Sequence, residues 1–247
     1  MSDPFNKDEL ERYARHFVLP EIGGPGQQKL KTAKVIVIGA GGLGAPALQY
    51  LAAAGIGQLT IVDADVVSLS NLQRQLIHDT AAVGLRKVES AAASIARLNP
   101  HVQVKTQPVR ISKTNAVELL EGHTLALDGS DNFATRYLMA DACEETQIPL
   151  ITAAVHRFDG SITTLKPWEE GNPSYRDIFP HQPEEGLLPS CSEAGIMGAV
   201  TGILGTMQAL EAIKEITGAG EGLVGRLLMV DGLSMRVETV RYQRAKK

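Results

Sequence analysis

The stretch that decides the fold is KVIVIGAGGLG, residues 34–44. Its first part, residues 34–39, is an apolar, β-branched run that ends at a glycine, as a buried parallel strand does. Gly39, Gly41 and Gly44 follow in the spacing Gly-x-Gly-x-x-Gly, just before a predicted helix. Glycines allow a sharp turn and let backbone N–H groups approach a phosphate. The stretch therefore predicts a strand–turn–helix unit that binds a nucleotide at the helix N-terminus.

Strand and helix signals alternate downstream, which is typical of a parallel sheet covered by helices. Further strands are predicted at residues 58–63, 102–107, 124–128 and 149–155, with an isolated strand at 159–165 and a hairpin at 227–242. Helices are predicted at residues 7–16, 43–54, 83–98, 112–121, 133–147 and 193–217. The fold class that follows is α/β: a Rossmann-like, mostly parallel sheet with helices on both faces, followed by a smaller mixed or antiparallel C-terminal part.

The length of 247 residues fits one large α/β domain. We expect an N-terminal helical arm at residues 1–33, a nucleotide-binding half at 34–155 and a smaller second half at 156–247. Residues 167–190 contain five prolines and little periodicity. A stretch of this kind in a compact domain predicts a functional or mobile loop.

Composition excludes several classes of protein. Hydrophobic residues make up 44% and charged residues 21% of the chain, which excludes a disordered, collagen-like or coiled-coil chain. The formal net charge of -4 and the lack of a basic run argue against nucleic acid as the main ligand. Two cysteines exclude a disulfide framework and favour a reducing compartment.

We expect a cytoplasmic protein without a membrane span. The first sixteen residues, MSDPFNKDELERYARH, are polar and carry no secretory signal. The longest uncharged apolar stretch, residues 194–210, is shorter than the roughly 20 residues that a bilayer requires. Its glycines, Gly198, Gly202 and Gly205, permit close helix approach, and we favour a homodimer face over packing within the chain.

Polar residues near the glycine turn indicate which nucleotide binds. Asp63 ends the second strand, 19 residues after Gly44, where an acidic side chain can accept ribose hydroxyls. This fingerprint alone fits a dinucleotide or ATP. The following segment SLSNLQRQ, residues 68–75, and Lys87 add amides and cations that suit a polyphosphate. A solvated loop with surface cations remains the alternative for that segment.

The segment GSDN, residues 129–132, closes the fourth strand at the same edge of the predicted sheet. Ligands of open α/β sheets bind beyond the carboxyl ends of the strands. Asp131 is therefore a candidate to hold Mg²⁺ between phosphate oxygens. A capping role for Asp131 at the next helix is compatible with that assignment.

The combination of RYARH (residues 12–16), VIGAGGLG, the Asp63 strand end, SLSNLQRQ, Lys87 and GSDN resembles the ubiquitin-activating-enzyme-like adenylyltransferases. Within them it is most similar to the MoeB/ThiF/HesA group. The similarity covers residues 12–240. It implies one ThiF-like domain whose second half, residues 156–247, binds a protein carrier.

The resemblance implies a reaction. Such enzymes use ATP and Mg²⁺ to adenylate the C-terminal Gly-Gly carboxylate of a small ubiquitin-fold sulfur-carrier protein, and they release pyrophosphate. It further implies a homodimer and, as a further partner, a sulfurtransferase or cysteine desulfurase. Molybdenum cofactor biosynthesis is one of several pathways served by such enzymes.

The resemblance also implies site residues. Arg74, Lys87 and Asp131 would act in catalysis, Asp131 through Mg²⁺, and Arg15 would reach the phosphates of the neighbouring subunit. The expected nucleotide-binding residues are Gly39, Gly41, Gly42, Gly44, Asp63, Ser70, Asn71, Leu72, Gln73, Arg74, Lys87, Asp131 and Asn132.

The chain departs from this group at its cysteines. Many relatives bind structural zinc through two Cys-x-x-Cys pairs, but residues 173–179 and 240–247 contain no cysteine here. Two cysteines cannot build a four-thiolate site, so we expect no structural zinc. Cys191 falls where the group's reactive thiol sits, and it is either a nucleophile or a spectator. Cys143 is predicted to be a packing residue.

Other interpretations stay open. A related enzyme could adenylate another carboxylate or a tRNA base. A nicotinamide-dependent oxidoreductase also carries a Rossmann glycine turn. A silent binding partner could keep the fold without the activity, although the intact set of Arg74, Lys87 and Asp131 argues against it.

Overall fold

One eight-stranded sheet runs through the molecule. The computed structural model describes residues 4–183 and 195–245. The strand order is β3-β2-β1-β4-β5-β6-β7-β8; the first five strands are parallel, and β6, β7 and β8 join antiparallel. The strands are β1 (Lys34–Ile38), β2 (Gln58–Val62), β3 (Gln103–Gln107), β4 (Leu125–Asp128), β5 (Leu150–His156), β6 (Asp159–Leu165), β7 (Arg226–Asp231) and β8 (Arg236–Arg241). The predicted fold class is confirmed.

Helices cover both faces of the parallel strands. They are α1 (Lys7–Arg12), α2 (Ala14–Phe17), α3 (Gly23–Thr32), α4 (Gly44–Ala54), α5 (Lys87–Leu98), α6 (Ala116–Leu120), α7 (Phe133–Thr146), α8 (Tyr175–Ile178) and α9 (Gly198–Thr217). One apolar cluster lies between the sheet and α4, α5 and α9, and a second lies between the sheet and α6, α7 and α8. No helix among the described residues is long and apolar enough to cross a membrane.

The turn from β1 into α4 is the one that the glycine spacing predicts. Gly39 adopts a φ of +93°, which glycine reaches without a steric penalty. A Cβ on Gly44 would stand 1.8 Å from the Gly39 carbonyl oxygen. Both positions therefore require glycine, and the first turn of α4 is brought to the carboxyl edge of the sheet.

The predicted strand at residues 159–165 is not isolated. As β6 it pairs antiparallel with both β5 and β7, so it links the parallel half to the C-terminal hairpin. The sequence pattern does not show the pairing with β7, because that partner lies far away in the chain. Leu228 of β7 pairs with Ile162, for example, across a separation that contains the whole of α9.

Four predicted helices begin later or break. The one predicted at residues 193–217 begins at Gly198, since residues 195–197 are not helical. The predicted helix at residues 7–16 is two helices that meet at Tyr13, which is buried beneath Gly55. Residues 83–86 are not helical, since Gly84 has a φ of +90°. Ser112 does not cap a helix: its N–H donates to Asn115 Oδ1 at 2.8 Å, and α6 begins only at Ala116.

Candidate active site

A cleft opens at the carboxyl ends of β1, β2, β3 and β4. Its lining contains four cationic side chains against three carboxylates. The cations are Arg74, Lys87, Arg110 and Arg136, and the carboxylates are Asp63, Asp65 and Asp131. A parallel sheet brings these strand ends to one edge, where its ligand is expected. The excess of positive charge suits a polyanion.

Backbone donors of the glycine turn face this cleft. Gly39, Gly41 and Gly42 line it, as predicted. In the described part of the chain, no acceptor takes a hydrogen bond from the N–H of Gly41 or Gly42. Gly44 does not line the cleft; it has a steric role against the Gly39 carbonyl. The free N–H groups lie at the N-terminus of α4, where the helix dipole adds partial positive charge.

Asp63 lines the cleft and also braces the loops around it. Its Oδ2 accepts the Ala40 N–H at 2.9 Å, and its Oδ1 accepts the Asp65 N–H at 2.8 Å. A carboxylate has about four acceptor sites, so it can still accept ribose hydroxyls. The side chain therefore joins the glycine turn to the end of β2.

Lys87 lies at the start of α5 and is buried. Its Nζ donates to Asp65 Oδ2 at 2.9 Å, and its own N–H donates to the Asp65 carbonyl oxygen at 3.0 Å. Burial of an ammonium group requires a partner, which Asp65 provides. The pair lines the cleft, where a phosphate can replace the exposed carboxylate as the partner of Lys87.

The SLSNLQRQ segment contributes less to the cleft than predicted. Arg74 lines it, with Nη1 donating to the Ser70 carbonyl oxygen at 3.1 Å. The predicted nucleotide contacts Ser70, Asn71, Leu72 and Gln73 do not line it. The reason is a short 3₁₀ turn at Leu69–Asn71, closed by a capping box between Ser68 and Asn71.

Gln73 has a different neighbour. Its backbone carbonyl lies against Gly198 at the start of α9, so close that a Cβ on Gly198 would stand 2.3 Å from the oxygen. The segment therefore anchors α9 beside the cleft. Its last residue, Gln75, is buried and lines the cleft, and within residues 4–183 and 195–245 its Oε1 has no hydrogen-bond partner.

Asp131 and Asn132 both line the cleft, as predicted. Asn132 is the cap of α7, because its Oδ1 accepts the Thr135 N–H at 2.9 Å. The capping role considered for Asp131 is therefore wrong. Asp131 is exposed, and among the described residues its carboxylate makes no ion pair or hydrogen bond. It is available to a ligand.

Sequence reasoning missed two arginines of the cleft. Arg110 follows the end of β3, and its place just after a strand was the available signal. Arg136 lies one turn into α7 and is buried, with Nη2 donating to the Ser130 carbonyl oxygen at 3.3 Å. Its Nε has no hydrogen-bond partner among the residues that the structure describes. An unpartnered buried guanidinium nitrogen fits a site that accepts an anion.

A buried carboxyl supports the floor of the cleft. Asp128, the last residue of β4, accepts from the Ser130 N–H at 2.9 Å and from Thr152 Oγ1 at 3.0 Å. Burial raises the pKa of this carboxyl. Its backbone carbonyl accepts from Gln208 Nε2 at 2.8 Å, which ties α9 to the sheet. Asp128 holds residues 129–132 in place without lining the cleft itself.

Two predicted catalytic residues remain to be accounted for. Arg15 is on α2 and does not line the cleft of its own chain. Cys191 lies outside the described residues. Cys143 is buried in the second apolar cluster, and burial raises the pKa of its thiol, as a packing residue requires.

Among the described residues, one hydrogen bond joins the two segments that lack cysteine. Within residues 173–179, Asp177 Oδ2 accepts from the Ser174 N–H and hydroxyl at 2.7 and 2.9 Å. Asp177 Oδ1 accepts the Ala245 N–H at 2.9 Å. Those bonds lower the pKa of Asp177, outweighing the effect of burial. We call this contact the Asp177 clasp. Among the described residues, no group of three or more His, Cys, Asp or Glu side chains is arranged to hold a metal.

Several known proteins are similar to this chain over nearly its whole length. A SAMP-activating enzyme E1 of Haloferax volcanii is 48% identical over 235 residues, covering 95% of this chain and 86% of that protein. A sulfur carrier protein adenylyltransferase of Thermus thermophilus is 45% identical over 242 residues, covering 96% and 89%. A probable adenylyltransferase/sulfurtransferase MoeZ of Mycobacterium tuberculosis is 46% identical over 243 residues, and this chain spans 62% of its length.

Solved structures show the same fold. PaaA superposes with a TM-score of 0.84 at 24% identity, covering 99% of this chain and 77% of that one. MccB of E. coli with ATP superposes with a TM-score of 0.82 at 20% identity, covering 95% and 72%. Residues 13–247 match the ThiF family. The chain belongs to the ThiF family.

Proposed function

We propose that this chain is an adenylyltransferase that uses ATP to activate the C-terminal Gly-Gly carboxylate of a small ubiquitin-fold sulfur-carrier protein. The observation that carries the proposal is the cleft, which combines free glycine-turn N–H groups, four cations and the unpartnered carboxylate of Asp131. The names of the relatives, a sulfur carrier protein adenylyltransferase among them, support the same reaction. We further propose that the activated carrier serves sulfur transfer in cofactor biosynthesis; the word sulfurtransferase in the name of the relative MoeZ supports the sulfur-transfer part.

The reaction places a carboxylate against an anionic phosphate. A carboxylate oxygen of the carrier attacks the α-phosphorus, the bond between that phosphorus and the α,β-bridging oxygen breaks, and pyrophosphate leaves with the electron pair. The carboxylate is ionised near neutral pH, so no general base is needed. The catalytic task is to screen charge, which Arg74, Lys87 and the glycine-turn N–H groups perform.

The chain's residues fit a bound Mg²⁺. Mg²⁺ is usually held by one or two carboxylates together with substrate phosphates, and it retains water. Asp131 is an exposed carboxylate at the carboxyl edge of the sheet, and in the described part of the chain it has no partner. Bound there, Mg²⁺ would neutralise charge on the phosphate oxygens.

The remaining parts of the proposal concern assembly. Arg15 lies outside its own cleft, which suits a homodimer in which it reaches the phosphates in the neighbouring subunit. A sulfurtransferase or cysteine desulfurase would then supply sulfur to the acyl-adenylate. A cytoplasmic location completes the proposal.

The test is ATP–pyrophosphate exchange with Gly-Gly-ended carriers added one at a time. Exchange should require a carrier and should be abolished by Asp131→Ala. The matched control is Asp8→Ala, which removes an exposed carboxylate from α1. Full exchange by Asp131→Ala would overturn the Mg²⁺ assignment. Absence of exchange with every carrier, despite ATP binding, would overturn the substrate assignment.

A second variant separates adenylation from later steps. Adenylation itself needs no thiol, so Cys191→Ala should keep wild-type exchange. If Cys191 is a nucleophile, the same variant should form the carrier acyl-adenylate but should not support the later transfer of sulfur to the carrier. Loss of exchange in Cys191→Ala would contradict this separation of steps.

A further inference from the structure

His78 is a buried histidine that bridges two parts of the site without lining the cleft. Its Nε2 lies 3.0 Å from the Ala40 carbonyl oxygen in the glycine turn. Its Nδ1 lies 2.9 Å from Ser90 Oγ, one turn after Lys87 on α5. The imidazole therefore connects the glycine turn to the helix that carries Lys87.

The hydrogen-bond partners fix the tautomer of His78. A carbonyl oxygen only accepts, so Nε2 carries the proton and donates it to Ala40. In the neutral ring Nδ1 then accepts, and the Ser90 hydroxyl donates. Burial and the nearby charge of Lys87 lower the pKa of His78, although the Ala40 contact and the carboxylates of Asp63 and Asp79 oppose the shift.

Two side chains are hydrogen-bonded to the backbone of Ala40, one at its N–H group and one at its carbonyl oxygen. Asp63 accepts its N–H, and His78 donates to its carbonyl oxygen. The peptide unit is planar and trans, so the carbonyl of Ala40 and the N–H of Gly41 point in opposite directions. With the carbonyl held toward buried His78, the Gly41 N–H is directed away from it, and Gly41 lines the cleft.

We propose that His78 is a positioning residue: by holding the Ala40 carbonyl it orients the free Gly41 N–H toward a phosphate of the bound nucleotide. The inference rests on the proposed use of ATP. His78 touches neither nucleotide nor carrier, so it acts through the backbone. Its loss should weaken ATP binding and leave carrier binding unchanged.

The experiment compares two kinds of replacement. His78→Gln places an amide N–H near the position of Nε2, so it should keep the bond to Ala40. His78→Phe keeps a ring without a donor, and the smaller His78→Asn does not reach Ala40. We expect the Phe and Asn variants to raise the KM for ATP roughly tenfold, the size of one lost hydrogen bond. The KM for the carrier should not change, and Gln should restore the wild-type KM for ATP.

His123 is the matched control. It is also hydrogen-bonded through both ring nitrogens, to the Leu120 carbonyl oxygen and to Thr60 Oγ1, but it precedes β4 and lies outside the cleft. His123→Phe should lower the urea midpoint without changing the KM for ATP. The positioning role is wrong if His78→Phe also lowers the urea midpoint without changing the KM for ATP. It is also wrong if His78→Gln folds but does not have the wild-type KM for ATP.

Direct binding separates this inference from the proposed function. Calorimetry can measure the Kd of each protein for ATP in the presence of Mg²⁺ and without a carrier. The measurement therefore reports on His78 even if no carrier supports exchange. A roughly tenfold weaker Kd in the Phe and Asn variants, with Gln near wild type, supports the positioning role. Equal Kd values in all four proteins would overturn it.

Discussion

Single residues at the edge of the cleft can both line it and hold the surrounding backbone. Asp63 was predicted from its place after β2 and does line the cleft, yet both of its oxygens also accept backbone N–H groups. Residues at the ends of parallel strands could be predicted because those ends share one edge. Asn71 could not be assigned in this way, since its side chain closes a local turn that only the backbone conformation reveals.

Replacement of Asp63 by asparagine should reduce stability as well as nucleotide binding. An amide NH₂ group cannot accept, so either Ala40 or Asp65 loses its acceptor. Leaving one such donor unpaired costs about 1–3 kcal/mol. Urea unfolding of Asp63→Asn against Asp8→Asn, an exposed residue on α1, measures this. Equal unfolding free energies would show that Asp63 does not brace the loops.

At the scale of elements, the glycines of α9 pack mainly within the chain. Gly205 faces the start of α4, where a Cβ would stand 2.2 Å from the Leu43 carbonyl oxygen and 2.5 Å from Pro46 Cγ. Gly198 faces the Gln73 carbonyl. The expected preference for a homodimer face is therefore wrong for these two glycines. Of the three, Gly202 alone has no described atom within 4 Å of its Cβ position, so the prediction stays open there.

The two glycines predict opposite effects of the same substitution. Gly205→Ala forces α9 away from α4 and should cost at least the 1–3 kcal/mol typical of overpacking. Gly202→Ala meets no neighbour and gains helix propensity, up to about 1 kcal/mol. Thermal or urea unfolding of both variants tests this. A loss of stability in Gly202→Ala that depends on protein concentration would instead indicate a homodimer contact.

The Asp177 clasp is an element-scale feature that the sequence could not reveal. The absence of cysteine from residues 173–179 and 240–247 predicted only that no structural zinc is bound there. It did not predict which contact joins the two segments. That Asp177 would meet Ala245, sixty-eight residues later, depends on the tertiary fold.

Loss of the clasp should release the C-terminal segment. Asp177→Ala removes the acceptor of the Ala245 N–H and of Ser174, so the backbone after β8 should exchange amide hydrogens faster. Asp141→Ala is the control, because it removes an exposed ion pair with Arg176 that is worth at most about 1 kcal/mol. Unchanged exchange at residues 243–245 in Asp177→Ala would contradict the role of the clasp.

At the scale of the whole molecule, the sheet joins two halves that the sequence separated at residue 155. The parallel half was predictable because each strand–helix unit is local in sequence. The second half was less so, since β6 and β7 pair across a long separation and α9 packs back against the parallel half. Gln208 of α9 donates to the carbonyl oxygens of both Asp128 and Ile151. A contact in the C-terminal half thus holds the floor of the cleft.

The free energy of unfolding depends on pH through the titratable groups of the whole chain. Two buried histidines, His78 and His123, both make the chain less stable as the pH falls. Burial lowers the pKa of His78 and His123 below 6.5, assisted by Lys87 at the former and by Lys105 and Lys34 at the latter. The unfolded chain therefore binds more protons than the folded chain below about pH 6.5, and stability falls as the pH decreases through that range. The double variant His78→Gln/His123→Gln should lose this part of the slope, which urea unfolding between pH 5 and 7.5 measures. Single variants should each remove a share of it, because the two rings lie at opposite edges of the sheet. A double variant with the wild-type slope would show that other groups, such as the carboxylates, set the acid sensitivity in this range.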